Sequence, residues 1–496
     1  MLKQPKLIPV KLRYKNNKLT QTLIESYKVL LLVIPDSGSR KLVTKCFSKN
    51  ITTKLNALKK GEMFTFTLNN KNLTQVVVSR FSCKSRYENL VWSRNFIEKL
   101  SDKEQEQVGL HIEGEESQIN EITEVVYLAA SAKNFKLNTY FSKKNKKPAQ
   151  KSIKSIDVLQ PINKELIKKA NAYISGNNLA RWLTALPPNI LDAKNYIQFI
   201  KSYAQEQQIS FEFFSEKKLR ILNAGAFLAV SQGNKSRDAG IVKLTYTGNP
   251  DNQSLDLALV GKGIIFDTGG NNLKPFQYML DMHIDMEGSA VALGLFHALK
   301  ELKVNLNVEV WLAITENRIS SNSYKSQDII TASNGTTIQA IHTDAEGRMV
   351  LADTLALACK SKPDWILDFA TLTGACESAL TTKYAGVFTN KMELHENLIA
   401  AGSISGERVW PFPMDADFLE LIESDIADVK QCSESGGGDH IAASKFLEKF
   451  VSKEITWVHT DLSSGYTKNG LAHIPTRVTG FGIGFGLELL KKSGKI

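Results

Sequence analysis

Short apolar segments alternate with longer segments of helical pattern from about residue 185 onward. The strand-like segments are 241–247, 255–260, 307–314, 365–369 and 456–459, and the helix-like segments are 196–207, 288–302, 351–360, 416–424 and 441–451. Strands separated by helices of about ten to fifteen residues are typical of a parallel sheet covered on both faces. We therefore predict an α/β fold with a C-terminal, mostly parallel sheet flanked by helices. Ligand sites in such sheets collect at the carboxyl ends of the strands.

The first 160 residues predict a smaller N-terminal α/β domain. Residues 27–35 and 75–79 have the apolar composition of buried strands, whereas 121–132 fits either a helix or a strand. Lysines crowd around Pro148 between residues 143 and 154, which is the composition of an exposed linker, and 163–184 follows as a helix. We predict a domain over 1–160 with its linker near 143–160. A linker helix and the larger domain would then occupy 161–496.

Charge is unevenly divided between these parts. Residues 1–160 contain 29 Lys and Arg against 14 Asp and Glu, although the whole chain carries a net charge of only +11. A basic domain can bind DNA or another polyanion, which is one hypothesis for this part of the chain. A lysine-rich solvated surface is the commoner explanation.

Cysteine usage and hydropathy favour a soluble protein of the cytoplasm. The five cysteines form an odd number without close spacing, so they do not suggest a disulfide framework (Cys46, Cys83, Cys359, Cys376 and Cys432). No apolar run approaches the roughly 18 residues that a transmembrane helix needs. The apolar stretch at 29–34 is too short and too far into the chain for a signal peptide.

A first cluster of functional residue types lies in the segment 260–285. Lys262 follows one apolar run, and Asp267 ends the next, with Gly269 and Gly270 following after Thr268. A carboxylate at a strand end, beside glycines that allow close backbone approach, is a suitable position for a cation. Taken alone, an Asp–Gly–Gly sequence is more often a turn.

The second cluster is the segment HTDAEGR at 342–348. In an extended conformation Asp344, Glu346 and Arg348 share one face. Alternatively, the acids cap the helix predicted at 351–360. Both clusters nevertheless place acids between an apolar strand and a helix, and this coincidence favours a functional site.

Converging carboxylates predict a two-metal site. The sequence contains no His-x-His, His-Glu-x-x-His or paired cysteines, so a mononuclear zinc site is not indicated. Several acids in one place repel one another, and two divalent cations relieve that repulsion and make bound water nucleophilic at neutral pH. Hydrolysis of phosphate esters is an alternative two-metal reaction, although a lysine among the acids and the lack of clustered histidines argue against it.

These segments resemble the leucine (cytosol) aminopeptidase family of two-metal exopeptidases. The matching motifs are VGKGIIFDTGG (260–270) with Asp285, TDAEGR (343–348), LPPNILDA (186–193), GAFLAVSQG (225–233) and ATLTGA (370–375). The resemblance covers roughly residues 180–490. It implies a metalloaminopeptidase that removes one residue, Leu-like by preference, from the free N-terminus of a peptide through a metal-bridging water.

The resemblance also assigns roles to individual residues. One cation would be bound by Lys262, Asp267, Asp285 and Glu346, and the other by Asp267, Asp344 and Glu346, with Mn²⁺ or Zn²⁺ as the metals. Lys274 would polarise the scissile carbonyl, and Arg348 would hold a bicarbonate that acts as general base. Substrate contacts would fall on Met282, Thr371, Leu372 and Gly374. The implied assembly is a homohexamer.

Some positions depart from the family pattern. His342 stands where asparagine is usual, and Glu287 stands where glycine is usual. The extra carboxylate of Glu287 would either shift metal preference towards harder ions or point to solvent, and we expect the latter. The segment 435–440 also differs, which puts specificity in question. Because five ligands are already assigned, Asp439 and His440 are not expected to bind metal.

Overall fold

The chain forms two compact units, each with its own sheet. The structure is a computed structural model, and it describes residues 2, 9–15, 18–36, 45–82, 85–100, 107–142, 144–145 and 152–496. One unit comprises Pro5–Ile174 together with Lys468–Arg477, and the other comprises Met1–Gln4, Ser175–Thr467 and Val478–Ile496. This division falls inside the helix Lys164–Thr184, whereas the sequence places a boundary near residue 160. The domain limits remain a prediction.

The N-terminal unit contains a six-stranded sheet. Its strands are β1 (Lys11–Tyr14), β2 (Val29–Pro35), β3 (Met63–Thr67), β4 (Gln75–Phe81), β5 (Gln107–Ile112) and β6 (Ser155–Val158), in the order β1-β6-β5-β2-β4-β3. All neighbouring strands are parallel except β3 and β4. The helices are α1 (Gln21–Glu25), α2 (Lys49–Ala57), α3 (Arg86–Glu98), α4 (Glu116–Asn134) and the start of α5 (Lys164–Thr184).

Strand β2 explains the first apolar run of the sequence. Alternate side chains of β2 enter two different hydrophobic clusters, one on each face of the sheet. A strand buried on both faces is apolar at every position rather than at every second one.

The ambiguous segment 121–132 lies within helix α4. Of the linker lysines, only Lys144 and Lys154 belong to the described part of the chain; Lys143, Lys146, Lys147 and Lys151 lie outside it.

The larger unit contains an eight-stranded sheet and a small three-stranded one. The strands of the large sheet are β7 (Ser210–Ser215), β8 (Gly240–Thr247), β9 (Leu257–Asp267), β10 (Asn307–Asn317), β13 (Trp365–Ala370), β14 (Ala385–Thr389), β15 (Val409–Pro411) and β17 (Thr456–Asp461). The strands of the small sheet are β11 (Ile329–Thr331), β12 (Thr337–Gln339) and β16 (Val429–Lys430). The order in the large sheet is β15-β14-β17-β13-β9-β10-β8-β7, with β17, β13, β9 and β10 mutually parallel.

The larger unit also contains α-helices. They are α6 (Ala193–Gln207), α7 (Glu216–Ile221), α8 (Gly225–Ser231), α9 (Phe276–Met279), α10 (Glu287–Leu302), α11 (Glu346–Cys359), α12 (Gly374–Leu380), α13 (His395–Ser405), α14 (Asp439–Glu448) and α15 (Ile483–Lys492). The predicted α/β class, with a mostly parallel sheet at its centre and a smaller α/β unit, is confirmed. No helix in the described part of the chain is long and apolar enough to cross a bilayer.

Strand β9 lies between two helices on opposite faces of the sheet. A Cβ at Gly261 would lie 2.5 Å from Ser289 Cα in α10, so the close approach of this helix requires glycine. A Cβ at Gly347 in α11 would lie 2.6 Å from Lys262 Cε. Because neighbouring residues of a strand face opposite sides, α10 covers one face of β9 and α11 covers the other.

The structure decides between two alternatives for the segment 342–348 and corrects one prediction. Of the extended and helix-start alternatives for 342–348, the second is found, because α11 begins at Glu346 and includes Arg348. The helix predicted at 416–424 is a 3₁₀ helix over Ala416–Ile422.

The glycine-rich segment 480–486 leads into α15, where a Cβ at Gly486 would lie 2.5 Å from Leu295 Cδ2. Close helix packing therefore accounts for these glycines.

Candidate metal centre

Strand β9 positions the first two candidate residues. Lys262 and Asp267 are both buried, and Asp267 is the last residue of the strand. One oxygen of Asp267, Oδ1, accepts hydrogen bonds of 2.8 Å from the Gly269 amide and from Asn317 Nδ2 at the end of the adjacent β10. The positive φ of Gly269, +84°, turns the chain back so that its amide reaches this carboxylate. The strand end thus orients Asp267.

Lys262 and Asp285 form a buried ion pair. Lys262 Nζ lies 2.7 Å from Asp285 Oδ1 and also donates a 2.7 Å hydrogen bond to the carbonyl oxygen of Thr371. The Thr371 hydroxyl donates to the same Asp285 oxygen at 2.8 Å. Among the described residues none donates a hydrogen bond to the second oxygen, Oδ2. One buried carboxylate oxygen is therefore left for another electropositive partner.

The start of α11 supplies the remaining acids. Asp344 precedes the helix and Glu346 is its first residue, so the positive end of the helix favours their negative charges. Glu346 Oε1 lies 3.2 Å from Lys262 Nζ. The carboxyl groups of Asp267, Asp344 and Glu346 each offer an oxygen within 4.8 Å of the others. The structure therefore brings residues from three separate segments together.

Lys274 lies beside two of these acids. Its ammonium is 2.9 Å from Asp267 Oδ2 and 2.6 Å from Asp344 Oδ1. Burial alone would lower the pKa of Lys274, but the surrounding carboxylates, Asp267 first among them, outweigh burial and raise it. Burial would also lower the pKa of Lys262, but the nearby carboxylates outweigh burial and raise this pKa. Both lysines are cations in this arrangement.

The acids remain short of positive charge despite the two lysines. Burial, followed by the charge of Asp267, raises the pKa of Asp344 to about 7 and that of Glu346 to about 8. The pKa of Asp285 rises to about 6, again mainly through burial. Carboxyl groups with raised pKa values gain free energy from additional cations. The donor set, all oxygen apart from the lysines, suits divalent metal ions.

Arg348 contacts a carboxylate of the chain itself. Its guanidinium is buried in the first turn of α11, and Nη2 donates hydrogen bonds to both oxygens of Asp439, at 2.9 and 3.0 Å. Its Nη1 donates to the carbonyl oxygen of Gln431 at 3.3 Å. Arg348, which the resemblance assigns to bicarbonate, is thus paired with Asp439, a side chain that the sequence analysis set aside as a metal ligand.

Of the candidate substrate residues, Thr371 contacts the centre directly, through hydrogen bonds with Lys262 and Asp285. Met282, Thr371 and Leu372 are partly buried, and Gly374 is exposed at the start of α12. The segment after β13 is fixed by Asp461 at the end of β17. This carboxylate accepts hydrogen bonds from the Leu372 amide at 3.0 Å and from the Thr373 hydroxyl at 2.7 Å. The backbone of this segment is therefore held in a defined position.

The expectation that Glu287 points to solvent is wrong. Its side chain is fully buried at the start of α10, and a Cβ at Gly465 would lie 2.0 Å from Glu287 Oε2. Burial raises the pKa of Glu287 to about 8. Because Gly465 has no side chain, the Glu287 carboxylate fits beside it in the interior. The sequence alone did not show that this space exists.

Sequence reasoning missed several residues that shape the centre. Asn317 ends β10 and Asp461 ends β17, just as Asp267 ends β9, and this shared position at the end of a parallel strand was the signal that could have identified them. Gln431 had no such signal. Its side-chain oxygen Oε1 accepts hydrogen bonds from the backbone N–H groups of Ile341 and His342, and its Nε2 donates to the carbonyl oxygen of Ala345. These hydrogen bonds fix the segment before α11.

Two histidines in the sheet region have structural contacts. His459 Nδ1 lies 2.6 Å from Asp368 Oδ1, and the second Asp368 oxygen accepts a 2.6 Å hydrogen bond from Trp457 Nε1. All three side chains are buried. His473, in the other unit, packs beside Tyr173. Neither histidine belongs to the cluster of acids.

Comparisons with known proteins agree with this arrangement. Residues 178–485 match the family described as "Cytosol aminopeptidase family, catalytic domain". The "Probable cytosol aminopeptidase" of Phytoplasma australiense is 35% identical over 378 residues, which is 75% of each chain. A mutant of tomato leucine aminopeptidase superposes with a TM-score of 0.83 at 25% identity, covering 98% of this chain and 97% of that one.

A further solved structure shares the fold. The bottromycin maturation enzyme BotP in complex with Mn has a TM-score of 0.80 and 24% identity, covering 95% of this chain and all of that chain. The match to the family spans well over half of the present chain, and the resemblance seen in its motifs is confirmed. The chain therefore belongs to the cytosol aminopeptidase family and is a metalloaminopeptidase.

Proposed function

We propose that Lys262, Asp267, Asp285, Asp344 and Glu346 bind two divalent cations. One ion would be held by Lys262, Asp267, Asp285 and Glu346, and the other by Asp267, Asp344 and Glu346. The observation that carries this proposal is the convergence of three acids, whose oxygens lie within 4.8 Å of one another. The ion pairs of Lys262 with Asp285 and Glu346 extend the same cluster.

The chemistry of the donors fits this role. Several carboxyl groups have raised pKa values, and Asp285 Oδ2 has no hydrogen-bond donor among the described residues. Lys262 becomes a ligand only as a neutral amine, and nearby cations would lower its pKa to allow this. When bound, the ions supply a water that is nucleophilic at neutral pH. We propose Mn²⁺ or Zn²⁺, and the manganese complex of BotP, a protein of the same fold, supports the former.

Lys274 is proposed as a catalytic residue. Its ammonium is held by Asp267 and Asp344 at the edge of the cluster and is partly accessible, with 14% of the side chain exposed. A fixed positive charge beside the reacting centre can stabilise the negative charge that develops on the oxygen of the scissile carbonyl. Arg348 is proposed as the second catalytic residue. Because its guanidinium already binds Asp439, no bicarbonate is included in this proposal.

The substrate is proposed to be a peptide with a free N-terminus and a Leu-like first residue. Met282 and Leu372 are partly buried apolar side chains that would contact the first side chain, while Thr371 and Gly374 would position the backbone. An apolar pocket discriminates weakly, since one methylene changes transition-state binding by only about 1–3 kcal/mol. We expect activity on several apolar residues rather than on leucine alone.

A panel of aminoacyl p-nitroanilides tests the proposal directly. The purified protein loaded with Mn²⁺ or Zn²⁺ should cleave the leucine and methionine compounds, and a chelator should abolish cleavage. The N-acetylated leucine compound is the matched control and should remain intact. Cleavage of the blocked compound, or no cleavage of any unblocked one, would contradict the proposal.

A homohexamer is the proposed assembly. Four apolar side chains near Lys274 are at least half exposed, which suits an interface with another subunit (Leu273, Phe276, Tyr278 and Leu280). Light scattering during size-exclusion chromatography gives the mass of the particle. We place the protein in the cytoplasm, as the name of its relatives suggests.

Binding of DNA or another polyanion by the basic N-terminal part is kept as a second proposal. Its support is the excess of Lys and Arg in residues 1–160. A gel shift that weakens steeply between low and physiological salt would agree with it, and no shift at low salt would dismiss it.

A further inference from the structure

Arg348 and Asp439 form an ion pair beside the proposed metal centre. The guanidinium is 2% exposed, whereas the side chain of Asp439 remains 28% exposed. Nη2 contacts both carboxylate oxygens, so the pair joins a buried cation to a carboxylate that solvent can reach. A buried guanidinium paired in this way has its charge balanced and exerts little attraction on a further anion.

The fold positions Asp439 for this contact. Asp439 is the first residue of α14, where the positive end of the helix favours a carboxylate. The preceding Gly436 and Gly438 have φ values of +70° and +65°, so the chain reaches α14 through a backbone conformation that other residues rarely adopt. The two glycines before Asp439 therefore allow the turn that places Asp439 beside Arg348.

Asp439 is connected to the segment that carries Asp344 and Glu346. The carbonyl oxygen of Gln431 accepts a 3.3 Å hydrogen bond from Arg348 Nη1, and Gln431 Nε2 donates a 3.0 Å hydrogen bond to the carbonyl oxygen of Ala345. Arg348 lies two positions after the proposed ligand Glu346 in the first turn of α11, so Asp439 is linked to the centre by one side chain.

We propose that Asp439 is the general base of the reaction and takes the place of an external bicarbonate. A carboxylate and a bicarbonate share one negative charge and a planar pair of oxygens that a guanidinium can bind. This inference rests on the proposed aminopeptidase function and adds a residue to its mechanism.

The proton balance of the proposed step is simple. The attacking water forms a bond to the carbonyl carbon and gives one proton to the Asp439 carboxylate. When the C–N bond breaks, the protonated Asp439 gives that proton to the leaving nitrogen, which departs as an amine. The carboxylate is regenerated, and no external anion is consumed.

Removal and addition of bicarbonate test this role. The wild-type protein, assayed in buffer freed of carbon dioxide, should cleave leucine p-nitroanilide at the same rate with and without bicarbonate. Asp439→Ala should lose about 10²-fold or more in kcat. Bicarbonate or formate should restore part of that loss, whereas chloride at equal ionic strength should not. Asp439→Asn, which preserves the volume, serves if the alanine variant fails to fold.

A binding measurement supplies a second readout. Titration with ¹³C-labelled bicarbonate, followed by NMR, should show binding to Asp439→Ala and none to the wild type. The matched control is Glu434→Ala, which removes an exposed acid from the same segment that pairs with Lys430 instead of Arg348. This variant should behave as the wild type in both experiments.

Three outcomes would overturn the inference: a wild-type enzyme that requires bicarbonate, an Asp439→Ala or Asp439→Asn variant as active as the wild type, or a folded, inactive Asp439→Ala variant that no small anion restores. A wild-type protein that cleaves no substrate would instead contradict the aminopeptidase proposal. The bicarbonate titration would still report on Asp439 in that case, so the two failures are distinguishable.

Discussion

Lys274 and Asp344 are joined by a 2.6 Å ion pair, and the same lysine lies 2.9 Å from Asp267. A single ammonium therefore links two carboxylates that the sequence separates by 77 positions. Both carboxylates are proposed metal ligands. The ammonium that we propose to act on the substrate is thus held in place by two of the carboxylates that we propose as metal ligands.

Replacing Lys274 with methionine should separate catalysis from metal binding. Because Lys274→Met removes the proposed stabiliser of the developing oxyanion, kcat should fall by about 10² to 10³-fold. Metal content should remain at the wild-type level, since the carboxylates are intact. Steady-state kinetics and elemental analysis measure the two effects. Lys325→Met, at a side chain 71% exposed, is the control, and a wild-type kcat in the Lys274 variant would contradict the assigned role.

Loss of one proposed ligand should remove metal and activity together. Asp344→Asn keeps the shape of the side chain but takes away a charge that divalent cations require. We expect less bound metal after dialysis and loss of cleavage, with partial recovery at high metal concentration. Elemental analysis on the assayed sample tests this. Asp364→Asn, an exposed acid paired with Lys495, should retain both properties. Full metal binding by Asp344→Asn would exclude Asp344 as a ligand.

The buried pair of His459 and Asp368 should make stability depend on pH. Burial alone would lower the pKa of His459, but the charge of Asp368 outweighs it and raises that pKa. A raised histidine pKa contributes stability that is complete below the unfolded value of about 6.5 and is lost as pH rises through the folded value.

His459→Asn should remove this contribution. The melting temperature of the wild type should exceed that of the variant most at pH 6, and the difference should shrink as the pH rises. Thermal unfolding across a pH series measures it, with His395→Asn as the control outside the pair. A difference in melting temperature that grows with pH would show that the pKa of His459 is not raised in the folded protein.

Gly465 and Glu287 should be energetically coupled. A Cβ at residue 465 would lie 2.0 Å from Glu287 Oε2, so Gly465→Ala forces a buried carboxylate to move and should cost about 1–3 kcal/mol in the free energy of unfolding. In a Glu287→Ala background the clash is absent, and the same substitution should cost much less. Denaturant unfolding of the four proteins in this cycle gives the coupling. Equal costs in both backgrounds would contradict the contact.

The sequence predicts local features of the centre better than its long-range contacts. Lys262 and Asp267 were recognisable because a polar residue in or after an apolar strand is conspicuous. The convergence of the acids was suggested by two similar patterns and by the family resemblance. The path of residues 342–348 was left open between two alternatives, because two acids separated by one residue fit an extended segment as well as the start of a helix.

Contacts between distant segments left no local signal. Asp439 was set aside because five ligands were already assigned, yet it pairs with Arg348, which precedes it by 91 residues. Glu287 was expected at the surface. The space that it occupies lies beside Gly465, nearly 180 residues later in the chain, and no nearby residue in the sequence indicates this space. Packing of this kind depends on the tertiary arrangement, which a single sequence does not encode in any short pattern.

The order of the acids along the chain has a consequence for protein synthesis. Asp267 and Asp285 leave the ribosome well before Asp344 and Glu346, and the turn of α11 around Gly347 closes over Lys262 only after all of them are present. A nascent polypeptide that ends before this helix carries only Asp267 and Asp285 of the four acids that we propose as ligands. If these residues bind two ions as proposed, such a truncated product lacks half of the carboxylate ligands and does not form the site.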